Sequence, residues 1–346
     1  MLCALPTRTP LQAVYCWQSE LLNSVFSIQN SEFDIVHIEH LRGARYGLYL
    51  KSEIINHKSE IPIVWDSVDC ISHLFEQAAR HSRSPFGRFV TRFELARTRR
   101  YEALLVNRFD RVLVTSPVDA AALAQLANRK SKIENRKSEI EVLPNGVDLE
   151  YFIPGTALRD PDTIVFTGKM SYHANVTAAW YLINDVMPLI WQERPNVHFN
   201  IVGYNPPRQI RQLGESQTAN QKSKISVIVS PADLRAYLQR AAVAVAPIPY
   251  GAGIQNKVLE AMACATPVVA TPQAVSALQV TDGEQLLVGD GAEAFARQTL
   301  RLLQDAELRQ WIGTAGRRFV ERYHDWNKIV ERLEGIYQQL SDRPVA

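Results

Sequence analysis

The sequence predicts an α/β protein made of two Rossmann-like domains. Its 346 residues exceed one ordinary domain and fit two of about 150 residues each. Short β-branched runs alternate with helical patterns, which is typical of doubly wound sheets. The runs are apolar throughout rather than at every second residue, as expected for strands buried on both faces of parallel sheets. The predicted strands are 33–38, 61–65, 111–115, 140–143, 163–167, 197–202, 226–229, 243–246 and 267–270.

The turn signal Pro144-Asn145-Gly146 marks the boundary between the domains. We therefore assign 1–143 to the first domain and 144–322 to the second. Long helical patterns lie between the later strands, for example at 176–191 and 292–303. After Gly291 the pattern is helical to the end of the chain, and we treat 323–346 as a separate C-terminal segment.

Composition indicates a globular protein and excludes several function classes. The chain is 46% hydrophobic and 21% charged, and 38 basic against 36 acidic residues give no overall attraction to nucleic acid. Cys3, Cys16, Cys70 and Cys264 form no Cys-x-x-Cys pair, so they indicate neither a zinc site nor a redox motif. No apolar run approaches the roughly 20 residues of a membrane-spanning helix, and 1–15 lack a signal-peptide pattern. We expect a cytoplasmic protein with reduced thiols.

The strongest chemical signal follows the eighth predicted strand. Gly251 and Gly253 allow close backbone approach, and the helix predicted to begin near Ile254 directs free amide groups toward that loop. The helix dipole favours an anion at this point. Lys257 and Glu260 share one helix face. Together they suit a nucleoside diphosphate at the carboxyl end of a parallel strand, with the ammonium on the phosphates and the carboxylate on the ribose hydroxyls. The alternative is an exposed ion pair, and the pattern alone leaves both open.

Residues 260–269 read EAMACATPVV and resemble the donor-site signature of the retaining glycosyltransferases of family 4, which have the GT-B fold. Ala265 stands where the family usually has glycine. Ala252 stands where the family commonly has a first glutamate, which leaves Glu260 as the ribose ligand. Some exopolysaccharide-associated members have a run similar to 254–260, and these also lack the first glutamate. The resemblance implies two domains facing a cleft.

Two further segments resemble the same family. Residues 143–148 are similar to its entry into the second domain, and 323–337 to its helix that crosses back to the first. Gly168 and Lys169 are similar to its loop of glycine and a basic residue, where the cation contacts the diphosphate; a solvated lysine is the alternative. For His173 and Asn175 we favour a helix entry, with Asn175 as the cap. The implied donor-binding residues are Gly168, Lys169, Gly253, Ile254, Gln255, Asn256, Lys257 and Glu260.

The first domain carries weaker signals. His40 and Asp69 each follow a predicted strand, and the resemblance makes them candidate catalytic residues at the cleft; a core position or, for Asp69, a helix cap is the alternative. The family opens with a strand, a glycine-rich loop and a helix. No such unit precedes Phe33, and 1–30 contain no glycine. We therefore expect an N-terminally incomplete first domain and weak activity.

Two basic features remain. Four short copies of a motif, at 56–61, 128–133, 135–140 and 220–225, resemble insertions in surface loops, with a basic binding element as the alternative. Residues 82–107 form an arginine-rich helical pattern that can lie on an anionic membrane or be a solvated helix. Its members are Arg83, Arg88, Arg92, Arg97, Arg99 and Arg100, interleaved with Phe86, Phe89 and Phe93.

The resemblance implies transfer of a sugar, with retention, from a nucleoside-diphosphate sugar to a glycan or lipid-linked acceptor in polysaccharide biosynthesis. It implies no cofactor and no metal, because Lys169, Lys257 and the helix dipole can neutralise the leaving diphosphate. We expect no nucleic-acid partner, and peripheral contact at the inner membrane face remains open. The alternatives are a nucleotide-sugar epimerase of the same fold and a non-catalytic nucleotide-binding remnant.

Overall fold

The computed structural model describes residues 9–27, 33–56, 61–81, 85–128, 139–215, 224–249 and 253–342. These residues form two compact units, one of 1–144 with 329–346 and the other of 145–328. Among the described residues, no helix is long and apolar enough to cross a membrane. Gly251, Ala252 and most residues of the four motif copies lie outside the described ranges, so the insertion hypothesis stays a prediction.

The first unit is built on a four-stranded parallel sheet in the order β1-β2-β3-β4. One face packs Val64 and Leu113 against Ile336 and Leu340 of the C-terminal helix, and the other buries Trp65 in a larger core. The strands are β1 Val36–Glu39, β2 Ile63–Val68, β3 Arg111–Val114 and β4 Glu139–Val142. The helices are α1 Leu11–Tyr15, α2 Ser19–Ser27, α3 His40–Asn56, α4 Ile71–His81, α5 Pro85–Val106 and α6 Pro117–Asn128.

The second unit is built on a six-stranded parallel sheet in the order β10-β9-β8-β5-β6-β7. The strands are β5 Asp160–Lys169, β6 His198–Tyr204, β7 Ile225–Val229, β8 Ala241–Ala246, β9 Val268–Ala270 and β10 Leu287–Val288. Its helices are α7 His173–Tyr181, α8 Met187–Glu193, α9 Arg208–Glu215, α10 Arg235–Arg240, α11 Asn256–Ala263, α12 Pro272–Val275, α13 Ala292–Gln304 and α14 Ala306–Tyr323. Helix α15, Trp326–Ser341, follows, and its residues from Ile329 belong to the first unit.

All nine predicted strands are present, so the parallel α/β prediction is confirmed. Strand β10 was not predicted because two residues are too few to show a pattern. The predicted helix 176–191 is interrupted by a π-helical turn over Leu182–Val186. This turn lies directly before Pro188, which has no amide hydrogen to donate to the preceding turn.

Candidate functional site

The predicted donor-site residues come from two strands that are neighbours in the second sheet. Gly168 and Lys169 end β5, and α11 follows β8, which pairs with β5. The chain leaves β5 toward β6 on one side and returns to β8 on the other, so the strand order reverses here. A crevice at the carboxyl ends of such strands is where open α/β sheets bind their ligands.

Gly168 is in direct contact with α11. A Cβ atom built on Gly168 would lie 3.3 Å from Lys257 Cε and 2.9 Å from Asn175 Nδ2. The residue also has a φ of 153°, which side chains rarely adopt. Glycine is therefore required at this strand end, and its absent side chain is what allows Lys257 to reach the end of β5.

Lys257 is a half-buried cation without an anionic partner. Its Nζ atom lies 3.2 Å from Gln255 Oε1, and no ion pair joins it to a carboxylate of the described residues. Burial lowers the pKa of Lys257 to about 8, against the opposing effect of Glu260. Burial also raises the pKa of Glu260, against the effect of Lys257. The alternative of an exposed ion pair is therefore wrong, because both groups are desolvated and they do not pair.

The remaining predicted donor residues line the start of α11. This helix begins at Asn256, two residues later than expected, and Gln255 is its N-cap without a side-chain capping bond. Asn256 Oδ1 accepts a hydrogen bond of 3.2 Å from Asn145, which ties the turn at the unit boundary to the helix. Gly253 has a φ of 75°, and Ile254 is buried. Within the second unit the side chain of Lys169 is exposed at the end of β5.

The sequence did not predict the role of Gly203, and it predicted a different role for Asn175. Gly203 pairs with Gly168 in the neighbouring strand, and a Cβ atom there would lie 1.8 Å from the Gly168 carbonyl oxygen. Asn175 was predicted to cap α7, but the N-cap is Tyr172. The side chain of Asn175 instead donates from Nδ2 to the Lys169 carbonyl at 2.9 Å. Only the tertiary contact between the strand ends reveals either requirement.

The far end of α11 is fixed by two arginines. Arg317 donates to the Ala263 carbonyl, and Arg159 donates to the Cys264 carbonyl at 2.8 Å. These are last-turn carbonyls, which have no partner within the helix. Ala265 follows in the left-handed region with a φ of 51°, where the resembled family usually has glycine. The helix that carries Lys257 and Glu260 is therefore held firmly at the end remote from the site.

The candidate catalytic residues of the first unit lie at the ends of neighbouring strands. His40 follows β1 with a φ of 60°, and Val68 ends β2 with a φ of 63° beside a register shift. Such conformations are strained for residues with a branched or bulky side chain, and strain of this kind concentrates at functional sites. Burial and the nearby charge of Asp119 raise the pKa of Asp69 to about 6, and His40 opposes that shift. His40 and Asp69 are therefore within electrostatic reach of each other.

Asp69 does not cap α4, which was the alternative for it. The Cys70 amide donates instead to Asp119 at 3.0 Å, and the Ser72 amide donates to Glu102 at 3.3 Å. Glu102 is fully buried, and burial raises the pKa of Glu102 to about 7. Sequence reasoning missed Glu102, because its partners are 30 residues away and no local pattern marks them.

A further chain of contacts links β1, β2 and α15 within the first unit. Tyr337 Oη lies 2.8 Å from His37 Nδ1, and His37 Nε2 lies 3.7 Å from an Asp66 oxygen. Burial raises the pKa of Asp66. The described residues contain no group of three or more His, Cys, Asp or Glu that could hold a metal ion. The roles predicted for the donor-site residues, for His40 and for Asp69 stay predictions.

Comparison with known proteins finds that the chain is similar to glycosyltransferases. Residues 161–305 match the family model described as glycosyl transferases group 1. The chain is 26% identical over 265 residues to phosphatidyl-myo-inositol mannosyltransferase of Mycobacterium tuberculosis, covering 74% of this chain and 68% of that protein. It is 24% identical over 261 residues to D-inositol 3-phosphate glycosyltransferase of Nocardiopsis dassonvillei, covering 69% of this chain and 58% of that protein.

Solved structures agree on the fold. Sucrose-phosphate synthase of Thermosynechococcus elongatus has a TM-score of 0.68 and 19% identity, covering 93% of this chain and 76% of its own. Anabaena HepE in complex with UDP has a TM-score of 0.65 and 14% identity, covering 92% of this chain and 82% of its own. At such identities the likeness shows the fold alone. The match over residues 161–305 and these relatives show that the chain is a glycosyltransferase, and the solved structures show that it has a GT-B-like α/β fold.

Proposed function

We propose that this glycosyltransferase moves a sugar from a nucleoside-diphosphate sugar to a glycan or lipid-linked acceptor, with retention, in polysaccharide biosynthesis. The observation that carries the donor class is Lys257, a half-buried cation with no anionic partner among the described residues, at the carboxyl edge where the strand order reverses. A diphosphate supplies that missing anion. A mannosyltransferase named for phosphatidyl-myo-inositol among the relatives supports a lipid-linked acceptor.

The donor diphosphate gains charge as its bond to the sugar breaks. In this proposal Lys257, Lys169 and the amide groups at the start of α11 stabilise this charge, because all three belong to the ends of β5 and α11 that meet at this edge of the sheet. A divalent cation is not required when these groups supply the positive charge. Activity that disappears with EDTA and returns with magnesium would contradict the metal-independent mechanism.

Glu260 accepts hydrogen bonds from the two ribose hydroxyls in this proposal. The raised pKa of this carboxyl reflects burial without a hydrogen-bond donor among the described side chains, and a ribose supplies two donors. Glu260→Ala should weaken nucleotide binding by about 1.5–3 kcal/mol. Glu260→Gln keeps the shape of the side chain and removes its charge. Calorimetry with this variant therefore separates the contribution of the charge from that of the hydrogen bonds. Equal affinity of Glu260→Ala and the parent chain would remove this role.

His40 and Asp69 act on the reacting sugar or the acceptor hydroxyl in this proposal. Asp69 suits proton acceptance near neutral pH because its pKa is raised to about 6. His40→Ala and Asp69→Asn should lower turnover while leaving nucleotide binding to the second unit unchanged. A loss of nucleotide affinity equal to the loss of turnover would argue against a role confined to transfer.

The first two described turns of α5 provide a surface for peripheral contact with an anionic membrane. Phe89, Val90 and Phe93 are 69%, 40% and 41% exposed, and Arg92 is exposed among them. Apolar side chains beside a cation match the boundary of an anionic bilayer. The parent chain should co-sediment with phosphatidylglycerol vesicles, and the double variant Phe89→Ser/Phe93→Ser should not. Neither protein should co-sediment with neutral vesicles. Equal binding of both proteins to anionic vesicles would contradict this contact.

The deciding experiment screens UDP, GDP, ADP and TDP and their sugars by thermal shift, then assays transfer with the sugar that stabilises the chain. The anomeric configuration of the product, read by NMR, tests retention. A new nucleotide sugar formed without any acceptor would identify an epimerase. Nucleotide binding without any turnover would favour a non-catalytic remnant.

A further inference from the structure

The end of β5 is enclosed by two side chains from different helices. A Cβ atom at Gly168 would lie 2.9 Å from Asn175 Nδ2 and 3.3 Å from Asn175 Cγ, on α7. The same atom would lie 3.3 Å from Lys257 Cε, on α11. Asn175 and the stem of Lys257 therefore pack over the same glycine, directly beside Lys169.

The polar atoms of Asn175 are used unequally. The residue is 5% exposed, and its Nδ2 atom donates to the Lys169 carbonyl at 2.9 Å. Its Oδ1 atom is buried and has no hydrogen-bond partner among the described residues. A buried amide oxygen without a partner is destabilising, and a residue that served packing alone would avoid that penalty.

The amide orientation follows from its one bond. With the opposite orientation, Oδ1 would face the Lys169 carbonyl, and two acceptors would meet without a hydrogen between them. The Lys169 backbone thus fixes the amide, and the amide in turn fixes the backbone from which the Lys169 side chain extends. Because the stem of Lys257 packs over the same glycine, a shift of Asn175 would change the position of Lys169 relative to Lys257.

We propose that Asn175 is a positioning residue for the donor diphosphate, which holds Lys169 and Lys257 at the spacing that lets both cations bind one diphosphate group. This inference rests on the proposed function. It differs from a role in starting α7, because the N-cap position belongs to Tyr172 and the Asn175 side chain forms no capping bond. A structural role would weaken every nucleotide alike, whereas a positioning role weakens the diphosphate selectively.

The test compares a nucleoside diphosphate with its monophosphate. Calorimetry measures the affinity of the full chain for UDP and UMP, or for GDP and GMP if UDP does not bind. In Asn175→Ala, diphosphate affinity should fall about tenfold while monophosphate affinity stays within about twofold. Asn175→Asp should lose more, because its carboxylate faces the Lys169 carbonyl and places an anion beside Lys257. Thr299→Ala is the matched control, because it removes a buried hydrogen bond of 2.8 Å to Phe295 elsewhere in the same unit.

A double-mutant cycle completes the test. If Asn175 acts through the lysines, Asn175→Ala should cause little further loss of diphosphate affinity in a Lys257→Met background. Equal losses for diphosphate and monophosphate, or losses that simply add in the cycle, would overturn the inference and leave the proposed function intact. Asn175→Ser provides the same comparison if the alanine variant does not fold. A parent chain that binds no nucleoside diphosphate would overturn the proposed function, and this inference with it.

Discussion

The carboxyl edges of the two sheets differ in the residues that stand where the backbone is crowded or has an unusual conformation. In the second unit, a side chain at Gly203 would collide with the Gly168 backbone, and one at Gly168 would collide with the side chains of Asn175 and Lys257. In the first unit, His40 and Val68 occupy the left-handed region with their side chains in place. Glycine removes strain and leaves room for a ligand, whereas a strained residue keeps a functional side chain at the edge.

The two edges also differ in their buried charges, because only the second has a buried cation among the described residues. In the first unit, burial raises the pKa of Asp66, brings that of Asp69 to about 6 and brings that of Glu102 to about 7. In the second unit, burial lowers the pKa of Lys257 to about 8. Desolvation therefore acts on carboxylates at the first edge, and on both a cation, Lys257, and a carboxylate, Glu260, at the second. The first edge suits proton acceptance from a hydroxyl, and the second suits binding of an anion.

Removing the Lys257 cation from the carboxyl edge of the second sheet should have the strongest effect. Lys257→Ala should lower turnover about 100- to 1000-fold, the loss typical of removing one group that stabilises charge in the transition state. Donor affinity should fall less, because the diphosphate gains charge only as the bond breaks. Steady-state kinetics and calorimetry on the same variant measure the difference. A fall in affinity that accounts for the whole loss would show that Lys257 only binds the ground state.

Replacing a glycine at the carboxyl edge of the second sheet should lower the stability of the chain. Gly203→Ala places a methyl group 1.8 Å from the Gly168 carbonyl and should destabilise the chain by about 2–3 kcal/mol. The matched control is Gly335→Ala in α15, where no atom lies within 4 Å of the added methyl group. That control should be neutral or stabilising by up to about 1 kcal/mol. Urea unfolding measures both variants, and equal stability of the two would contradict the close approach.

Replacing the buried carboxyl of Asp69, at the carboxyl edge of the first sheet, by a neutral amide should stabilise the chain in a pH-dependent way. The pKa of Asp69 rises from 3.8 to about 6 on folding, so the folded state binds more protons between these values. Stability from this group is therefore present below pH 3.8 and is lost as the pH rises through 6. Asp69→Asn should raise unfolding free energy by about 1–2 kcal/mol at pH 7.5 and by little at pH 4. The same increase at both pH values would show that the carboxylate is not penalised by burial.

Introducing a glycine after the far end of α11 should change stability only slightly. Ala265 has a φ of 51°, a conformation that glycine adopts at lower cost. Ala265→Gly should stabilise the chain by about 0.5–1 kcal/mol, after the greater entropy of the unfolded glycine chain is taken into account. The control is Ala296→Gly within α13, which should destabilise by about 1 kcal/mol. A destabilising Ala265→Gly would mean that packing outweighs backbone strain here.

Local sequence patterns were sufficient to predict the parallel α/β class, nine of the ten strands and the residues that end β5 and follow β8. They were sufficient because strands buried on both faces require continuous apolar runs, and because a glycine loop before a helix has a local signature. They also placed Lys257 and Glu260 on one helix face, since helix periodicity is a local property. They placed His40 and Asp69 at the same edge of the first sheet, because parallel strands end at one edge.

Which of these groups are desolvated, and what surrounds them, depends on tertiary packing and could not be predicted from local patterns. Gly203, Asn175 and Glu102 carry no local signal, because their requirements come from partners on other elements, such as the Gly168 carbonyl that lies against Gly203. Likewise, three residues of separation allow Lys257 and Glu260 to pair, but in the folded chain Lys257 Nζ lies against Gln255 Oε1 instead. Spacing along a chain sets which groups can meet, and packing sets their dielectric surroundings and hence their charge.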